Sequence, residues 1–216
     1  MPDTRAILCF GDSNTHGTIA MTHPEDMRRY PRDVRWPGVL RAELGEGWEV
    51  IEEGHPGRTT VQDDPIEGPH KNGLTVLPAL LETHRPIDLV IVMLGTNDLK
   101  ATFGVSAYDI GKATSRLLRC IAGSTSGPDQ AAPTVLLVSP VPITETGWLA
   151  GMFRGGRAKS LELASYLRGV AGKNGLAFVD AAALAGVDPV DGIHLSAEAH
   201  KSIGRALAKE VLVVFD

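Results

Sequence analysis

Short, almost wholly apolar runs alternate along this chain with longer stretches in which apolar residues recur at helical spacing. Apolar runs bounded by turn residues are typical of buried strands. The predicted strands are Ala6–Phe10, Glu49–Glu53, Leu89–Leu94, Thr134–Val138 and Leu176–Val179. The predicted helices are Gly38–Leu44, Leu74–Thr83, Ala107–Ile121, Arg157–Ala171 and Ala197–Val213. Alternation of helices with strands that are apolar throughout predicts a parallel sheet covered on both faces.

These elements are expected to form one domain over residues 1–216, because no internal repeat or low-complexity linker divides the chain. We expect a three-layer, flavodoxin-like α/β sandwich whose five-stranded parallel sheet has the order 2-1-3-4-5. In such a sheet, ligands bind where the first and third strands diverge, at their carboxyl ends. Pro78 weakens the prediction of the second helix, because proline fits best in a helix's first turn.

Three long, polar, turn-rich segments follow strand ends, which form the ligand-binding side of such a sheet. They are Asn14–Arg35, His55–Gly73 and Pro140–Gly156. Loops of this length in a compact domain are usually functional. The alternative for each is a solvated insertion.

The tripeptide Gly11-Asp12-Ser13 follows the first predicted strand directly. A turn here holds the Ser13 hydroxyl above the carboxyl edge of the sheet, where α/β enzymes commonly present nucleophiles. A serine is a weak nucleophile unless a nearby base takes its proton. Because Gly, Asp and Ser also form ordinary turns, the assignment depends on a histidine elsewhere in the chain.

The segment Asp191–His194, just before the last predicted helix, offers that histidine. Asp191 stands three residues before His194, around a glycine turn. From there its carboxylate can bond the imidazole Nδ1, which fixes the tautomer and leaves Nε2 facing a serine. Ser13, Asp191 and His194 are therefore candidate catalytic residues.

Two further segments supply candidate hydrogen-bond donors. Asn97, in the segment Gly95–Asp98 after the third strand, offers a neutral amide of the type used in oxyanion holes. Gly57, after the second strand, lets the backbone approach a ligand closely and can lend its N–H to the same hole. Each segment taken alone also fits a plain turn.

Taken jointly, these segments resemble the SGNH (GDSL-type) hydrolase superfamily, which has a Gly-Asp-Ser block, a glycine block, a Gly-x-Asn-Asp block and an Asp-x-x-His block in this order. The resemblance implies that Ser13 is the nucleophile, His194 the base and Asp191 the residue that orients it. It also implies an oxyanion hole formed by the Ser13 N–H, the Gly57 N–H and the Asn97 side chain.

A closer likeness, to the bacterial arylesterase branch, extends over nearly the whole chain. The similar segments are Val34–Leu40, Val50–Gly54, Arg58–Thr60, Asp88–Asp98, Val135–Pro140 and Asp191–Leu195. The branch implies esterases that can transfer acyl groups to alcohols in water, some of them octameric, so a homo-oligomer is expected. Branch members often have Leu-Thr-Trp-Gly after the serine, whereas this chain has Asn14-Thr15-His16-Gly17. Asn14 and His16 are therefore expected to form a more polar pocket wall.

Composition excludes several other classes of protein. The 216 residues have a formal net charge of −5 without blocks of like charge, which argues against a nucleic-acid partner. The apolar runs are too short to span a bilayer, and the first strand begins too early for a signal peptide. Cys9 and Cys120 indicate no disulfide framework. We expect a cytoplasmic protein that acts on a small-molecule ester, without a membrane partner, metal or cofactor.

Other polar residues are interpreted as structural. Asp12 and Asp98 are expected to hold their turns through backbone amides, and Asp63 with Asp64 to form a solvated turn. Most remaining histidines show no metal-ligand spacing: His23, His55, His70, His84 and His200. Four arginines indicate a salt-bridged loop or a subunit contact, with an anion-binding entrance as the alternative: Arg28, Arg29, Arg32 and Arg35.

The leading hypothesis is a serine esterase that hydrolyses small aryl or acetyl esters through an acyl-enzyme. A deacetylase of acetylated sugars or a thioesterase would use the same residues and differ in pocket shape. The alternative from another class is a flavodoxin-like module that binds a small molecule without chemistry. That alternative gives Asp191 and His194 no role, and Asp12 would repel a bound phosphate.

Overall fold

The computed structural model describes residues 4–216 and contains a five-stranded, all-parallel sheet. The strands are β1 (Arg5–Gly11), β2 (Trp48–Gly54), β3 (Leu89–Met93), β4 (Thr134–Ser139) and β5 (Ala177–Asp180). They lie in the order β2-β1-β3-β4-β5, which confirms the predicted fold class and strand order. Gly11 at the end of β1 pairs with Gly54 of β2 and Met93 of β3, so three strand ends lie side by side.

The helices are α1 (Ser13–His16), α2 (Trp36–Leu44), α3 (Gly73–His84), α4 (Ala107–Ala122), α5 (Gly156–Asn174) and α6 (Ala197–Phe215). The last five correspond to the predicted helices within a few residues. The single turn α1 lies in a segment that was expected to be a loop. It forms because the Asp12 side chain accepts the Asn14 N–H at 2.9 Å, which caps its first turn. Across residues 4–216, no helix combines the length and the apolar character needed to cross a membrane.

Right-handed crossovers decide which face of the sheet each helix covers. The chain steps from β1 to β2 in one direction and then moves from β2 through β3 to β5 in the other. α2 therefore lies on one face together with α6, and α3, α4 and α5 lie on the opposite face. Both faces of the central strands are buried, which is why those strands are apolar at every position.

Pro78 lies inside α3 rather than at its start. A proline there removes one helical hydrogen bond and costs about 3 kcal/mol. Leu77 and Leu81 of the same helix are fully buried against the sheet. Burial of each such side chain contributes about 1.5–3 kcal/mol, so packing of the two leucines offsets the proline.

Candidate active site

Ser13 is the first residue of α1 and lies directly beyond the end of β1. Gly11 makes this tight turn from strand to helix feasible, since a Cβ at that position would lie 1.9 Å from Thr15 Oγ1. The first N–H groups of a helix have no acceptor within the helix. The Ser13 N–H donates to no other group among residues 4–216. Both the hydroxyl and the N–H of Ser13 therefore stand at the carboxyl edge of the sheet without a competing partner.

Asp191 and His194 lie in the turn before α6 and bond each other. Asp191 is fully buried, and its Oδ2 lies 2.5 Å from His194 Nδ1. Its Oδ2 also accepts the Met21 N–H at 2.7 Å, and its Oδ1 accepts the Ile193 and His194 N–H groups at 3.0 Å. Burial acts to raise the pKa of Asp191, but His194 and the backbone donors outweigh it and lower that pKa overall. An ionised carboxylate thus holds Nδ1 and leaves Nε2 for another partner.

Ser13 and His194 line the same cavity, whose volume is about 310 Å³. Within residues 4–216, the Ser13 hydroxyl and the His194 ring share no hydrogen bond. Such bonds are often long in the absence of substrate and tighten in the reacting complex. The structure thus brings Ser13 and His194 to one cavity, with Asp191 buried and bonded to His194.

The two predicted oxyanion donors lie beside Ser13 in this cavity. Gly57 has a φ of +79°, and its N–H donates to no other group of the described chain. Asn97 begins a short 3-10 turn after β3, and its Nδ2 donates to the Arg58 carbonyl at 3.0 Å. An amide Nδ2 has two hydrogens, so one is held by Arg58 and the other is available to a ligand.

Arg58 is a positioning residue that the sequence reasoning missed. Its Nη1 donates to the Gly11 carbonyl at 2.9 Å and to the Glu53 carbonyl, so it joins the ends of β1 and β2. Its guanidinium lies over the Phe10 ring, 4.4 Å from the centroid, and burial lowers its pKa to about 10. The Arg58 guanidinium bonds backbone carbonyls, which no sequence pattern marks. The position of Arg58 directly after Gly57 is the one feature of the sequence that could have indicated its role.

Asp12 holds its own turn, as predicted, whereas Asp98 reaches across to another segment. The Asp98 carboxylate accepts the Thr60 N–H at 2.9 Å and the Thr60 hydroxyl at 2.5 Å. Burial raises the pKa of Asp98 to about 6 in spite of these bonds. Asp98 therefore fastens the turn that carries Asn97 to the segment that follows Gly57.

Of the two expected pocket residues, His16 lines the cavity and Asn14 does not. The Asn14 side chain is buried, donates to the Ile193 carbonyl and accepts the Leu195 N–H, both at 3.1 Å. Its partners flank His194, so Asn14 supports the base instead of touching a ligand. Burial, and then the charges of nearby arginines, lower the pKa of His16 to about 4.

The cavity has an apolar wall and a charged wall. The apolar wall is formed by Met21, Pro24, Met27, Trp148, Leu149, Met152 and Phe153. The charged wall is formed by Glu67, Lys71 and Lys100. Asp26, which is paired with Arg28, and His16 also line the cavity. Lys100 Nζ lies 2.6 Å from Glu67 Oε1 and 2.9 Å from Asp64 Oδ2.

The expectation of a solvated turn at Asp63 and Asp64 is wrong for Asp64. Its side chain is 4% exposed and bonds the backbone N–H groups of Ile66 and Glu67, each at 2.9 Å. The ion pair with Lys100 compensates for the burial of its charge. Asp64 therefore holds Lys100, a residue of the charged wall, in position.

The arginine-rich loop is salt-bridged within the chain. Arg28 bonds Asp26 at 2.7 Å, and four other arginines surround the buried Glu52 carboxylate: Arg29, Arg32, Arg35 and Arg41. The predicted salt-bridged loop is thus confirmed. Among residues 4–216, no group of three or more His, Cys, Asp or Glu side chains is arranged to hold a metal ion.

Residues 9–201 match the model of the GDSL-like lipase/acylhydrolase family. The chain belongs to this family. The matched range includes every candidate catalytic residue and oxyanion donor: Ser13, Gly57, Asn97, Asp191 and His194. The chain has no match among curated protein sequences.

Solved structures of similar proteins include other esterases. This GDSL-like chain is 42% identical to an M. smegmatis aryl esterase solved with an inhibitor, with a TM-score of 0.93 over 97% of this chain and 99% of that one. It is 41% identical to a carbohydrate acetylesterase from Sinorhizobium meliloti, with a TM-score of 0.94 over 98% of this chain and 100% of that one. A lipase/acylhydrolase from Enterococcus faecalis shares the fold at 21% identity, with a TM-score of 0.68 over 96% and 95% of the two chains.

Proposed function

We propose that the protein hydrolyses small carboxylic esters through an acyl-enzyme formed on Ser13. His194 takes the Ser13 proton as the hydroxyl attacks the carbonyl carbon, and Asp191 stabilises the imidazolium that forms. The N–H groups of Ser13 and Gly57 and the Asn97 amide stabilise the oxyanion. His194 then gives the proton to the leaving alcohol, and a water molecule repeats the sequence to release the acid.

The observation that carries this proposal is the convergence on one cavity of a serine, a carboxylate-bound histidine and two unpaired N–H groups. These groups come from three separate segments, so their meeting is a property of the fold and not of one turn. A flavodoxin-like binding role would leave the Asp191–His194 pair unused. Membership of the acylhydrolase family supports the same choice.

The size and walls of the cavity favour small acyl groups. A cavity of about 310 Å³ has room for a short acyl chain and one ring-sized alcohol. Aryl esters and acetylated carbohydrates are the two candidate substrate classes, since an aryl esterase and a carbohydrate acetylesterase are among the similar proteins. We include acyl transfer to alcohols in the proposal, because the apolar wall around Trp148 and Phe153 favours an organic acceptor over water.

The test is a panel of phenyl acetate, phenyl butanoate, phenyl octanoate and monoacetylated sugars, given to the purified protein and to Ser13→Ala. We expect acetates to be hydrolysed fastest and Ser13→Ala to lose turnover on every ester while it keeps the wild-type circular dichroism spectrum. Added alcohol should yield the transesterified product. Absence of hydrolysis by the wild type, or wild-type turnover by folded Ser13→Ala, would refute the proposal.

A further inference from the structure

We infer that Glu67 determines specificity for the alcohol part of the ester, and that it favours alcohols with free hydroxyl groups, such as acetylated sugars, over plain aryl esters. This inference rests on the proposed esterase function. Glu67 lies on the charged wall of the cavity that Ser13 and His194 also line. It belongs to the long segment between β2 and α3, outside the four motif segments of the sequence.

Glu67 lies close to the reacting centre. A Cβ on Gly57 would lie 2.5 Å from Glu67 Oε2, so the carboxylate packs directly against this glycine. The Gly57 N–H is one of the proposed donors to the oxyanion. Hydroxyl groups on the alcohol, within a few bonds of the ester oxygen, therefore come within reach of Glu67 Oε2.

The contacts of Glu67 leave one of its oxygens open. Oε1 is held by Lys100 Nζ at 2.6 Å, whereas Oε2 has only the longer 3.5 Å contact with Lys71 Nζ. The Glu67 side chain is 35% exposed, while those of Lys100 and its other partner Asp64 are 6% and 4% exposed. Glu67 is thus the member of this cluster whose carboxylate can accept a hydrogen bond from a ligand.

The charges of the cluster favour a neutral, hydroxyl-bearing ligand. Asp64 and Glu67 carry two negative charges, and Lys71 and Lys100 carry two positive ones, so the cluster attracts neither anions nor cations as a whole. Lys71 Nζ is already held by the Pro56 carbonyl at 2.8 Å and lies 3.4 Å from His55 Nε2, so the group left for a ligand hydroxyl is the Glu67 Oε2 acceptor, to which the hydroxyl can donate. Hydrogen bonds to charged groups are stronger than those between neutral groups.

The apolar wall does not make this distinction. Trp148, which is 37% exposed, offers flat apolar surface on which an aryl ring or the C–H face of a sugar ring can pack. An aryl ester has no hydroxyl for Glu67, so it gains nothing from the charged wall. Glu67 therefore favours the hydroxyl-bearing class of alcohol.

The test compares kcat/KM for a monoacetylated glucose with kcat/KM for phenyl acetate in the wild type, Glu67→Ala and Glu67→Gln. We expect the ratio of sugar to aryl activity to fall about ten-fold in Glu67→Ala, as for loss of one hydrogen bond to a charged group. Glu67→Gln keeps an acceptor oxygen and should recover part of the ratio. The control is Glu82→Ala, an exposed glutamate on α3, which should leave the ratio unchanged.

The ratio separates specificity from damage to the fold, because misfolding lowers both activities together. Lys100 keeps Asp64 as a partner in the Glu67 variants, so these variants are expected to fold. An unchanged ratio, or an equal loss on both substrates, overturns the role of Glu67 and leaves the esterase proposal standing. A wild type that hydrolyses neither substrate overturns the esterase proposal and the role of Glu67 with it.

Discussion

Asn14 binds the backbone on both sides of His194. Its Oδ1 accepts the Leu195 N–H and its Nδ2 donates to the Ile193 carbonyl, both at 3.1 Å. Asn14 directly follows Ser13 in α1. One side chain therefore connects the turn that presents the hydroxyl with the turn that presents the imidazole, and it fixes their separation.

Replacing Asn14 by Ala should lower both stability and kcat. The change leaves a buried N–H and a buried carbonyl without a partner, which costs about 1–3 kcal/mol for each unsatisfied group. Denaturant unfolding and steady-state kinetics measure the two effects. Wild-type values of both quantities in Asn14→Ala would show that this link is dispensable.

Gly57→Ala should lower kcat far more than Gly45→Ala does. Both glycines have positive φ values, +79° and +72°, which side chains other than glycine rarely adopt, so an alanine is strained at either position. A Cβ at Gly57 also meets Glu67 Oε2, whereas a Cβ at Gly45 meets nothing within 4 Å. Both variants should lose unfolding free energy, and only Gly57→Ala should lose catalysis, since the contact of its new Cβ with Glu67 Oε2 displaces the N–H. Equal kcat values in the two variants would remove Gly57 from the oxyanion hole.

Asn97→Ala should lower kcat by roughly 10²–10³, the usual loss for one oxyanion donor. Its effect on KM should be small, because the amide meets an oxygen that becomes charged only in the transition state. Kinetics on phenyl acetate measure both parameters. A raised KM with unchanged kcat would mean that Asn97 binds the ground state or only orders its turn.

A general base must be neutral to accept the Ser13 proton, so kcat/KM should fall at acidic pH. We call this fall the acidic limb, and we expect it to depend on His194 and not on His16. Burial lowers the pKa of His16 to about 4, so His16 is neutral near pH 7 and has no proton to lose there. His16→Gln should keep the limb, whereas His194→Gln should lose it together with several orders of magnitude in rate. Loss of the limb in His16→Gln would move the general base to that residue.

The same shift in pKa gives a stability test. The pKa of His16 is lower in the folded protein than the unfolded value of about 6.5, so protonation favours unfolding. The wild type should therefore lose unfolding free energy relative to His16→Gln as the pH falls from about 6.5 towards 4. Above that window, the difference between the two proteins should be constant.

Much of the fold could be predicted from the sequence because the burial of each strand and helix shows in the spacing of its own apolar residues. β1 and β3 are buried on both faces, so their apolar runs are continuous and visible along the chain. α1 was missed because a single capped turn leaves no periodicity. α3 continues through Pro78 because Leu77 and Leu81 pack against the sheet. The residues on either side of the proline do not reveal this packing.

The sequence predicts a site residue well where that residue directly follows a strand. It predicts the role of a residue poorly where the hydrogen-bond partner of its side chain lies far along the chain. Ser13 and Asn97 follow β1 and β3, so the topology alone brings them to one edge of the sheet. Asn14 and Asp64 were misjudged because their partners lie far along the chain, at residues 193, 195 and 100. The homo-oligomer, the cytoplasmic location and acyl transfer stay predictions.

The central claim, that Ser13 is the nucleophile, is tested most directly by locating the covalent bond. The protein is treated with a serine-directed sulfonyl fluoride, and its intact mass and peptide masses are measured. We predict one adduct per chain, on the peptide that contains Ser13, no adduct in folded Ser13→Ala, and much slower labelling of His194→Gln. An adduct on another residue, or undiminished labelling of Ser13→Ala, would contradict the account.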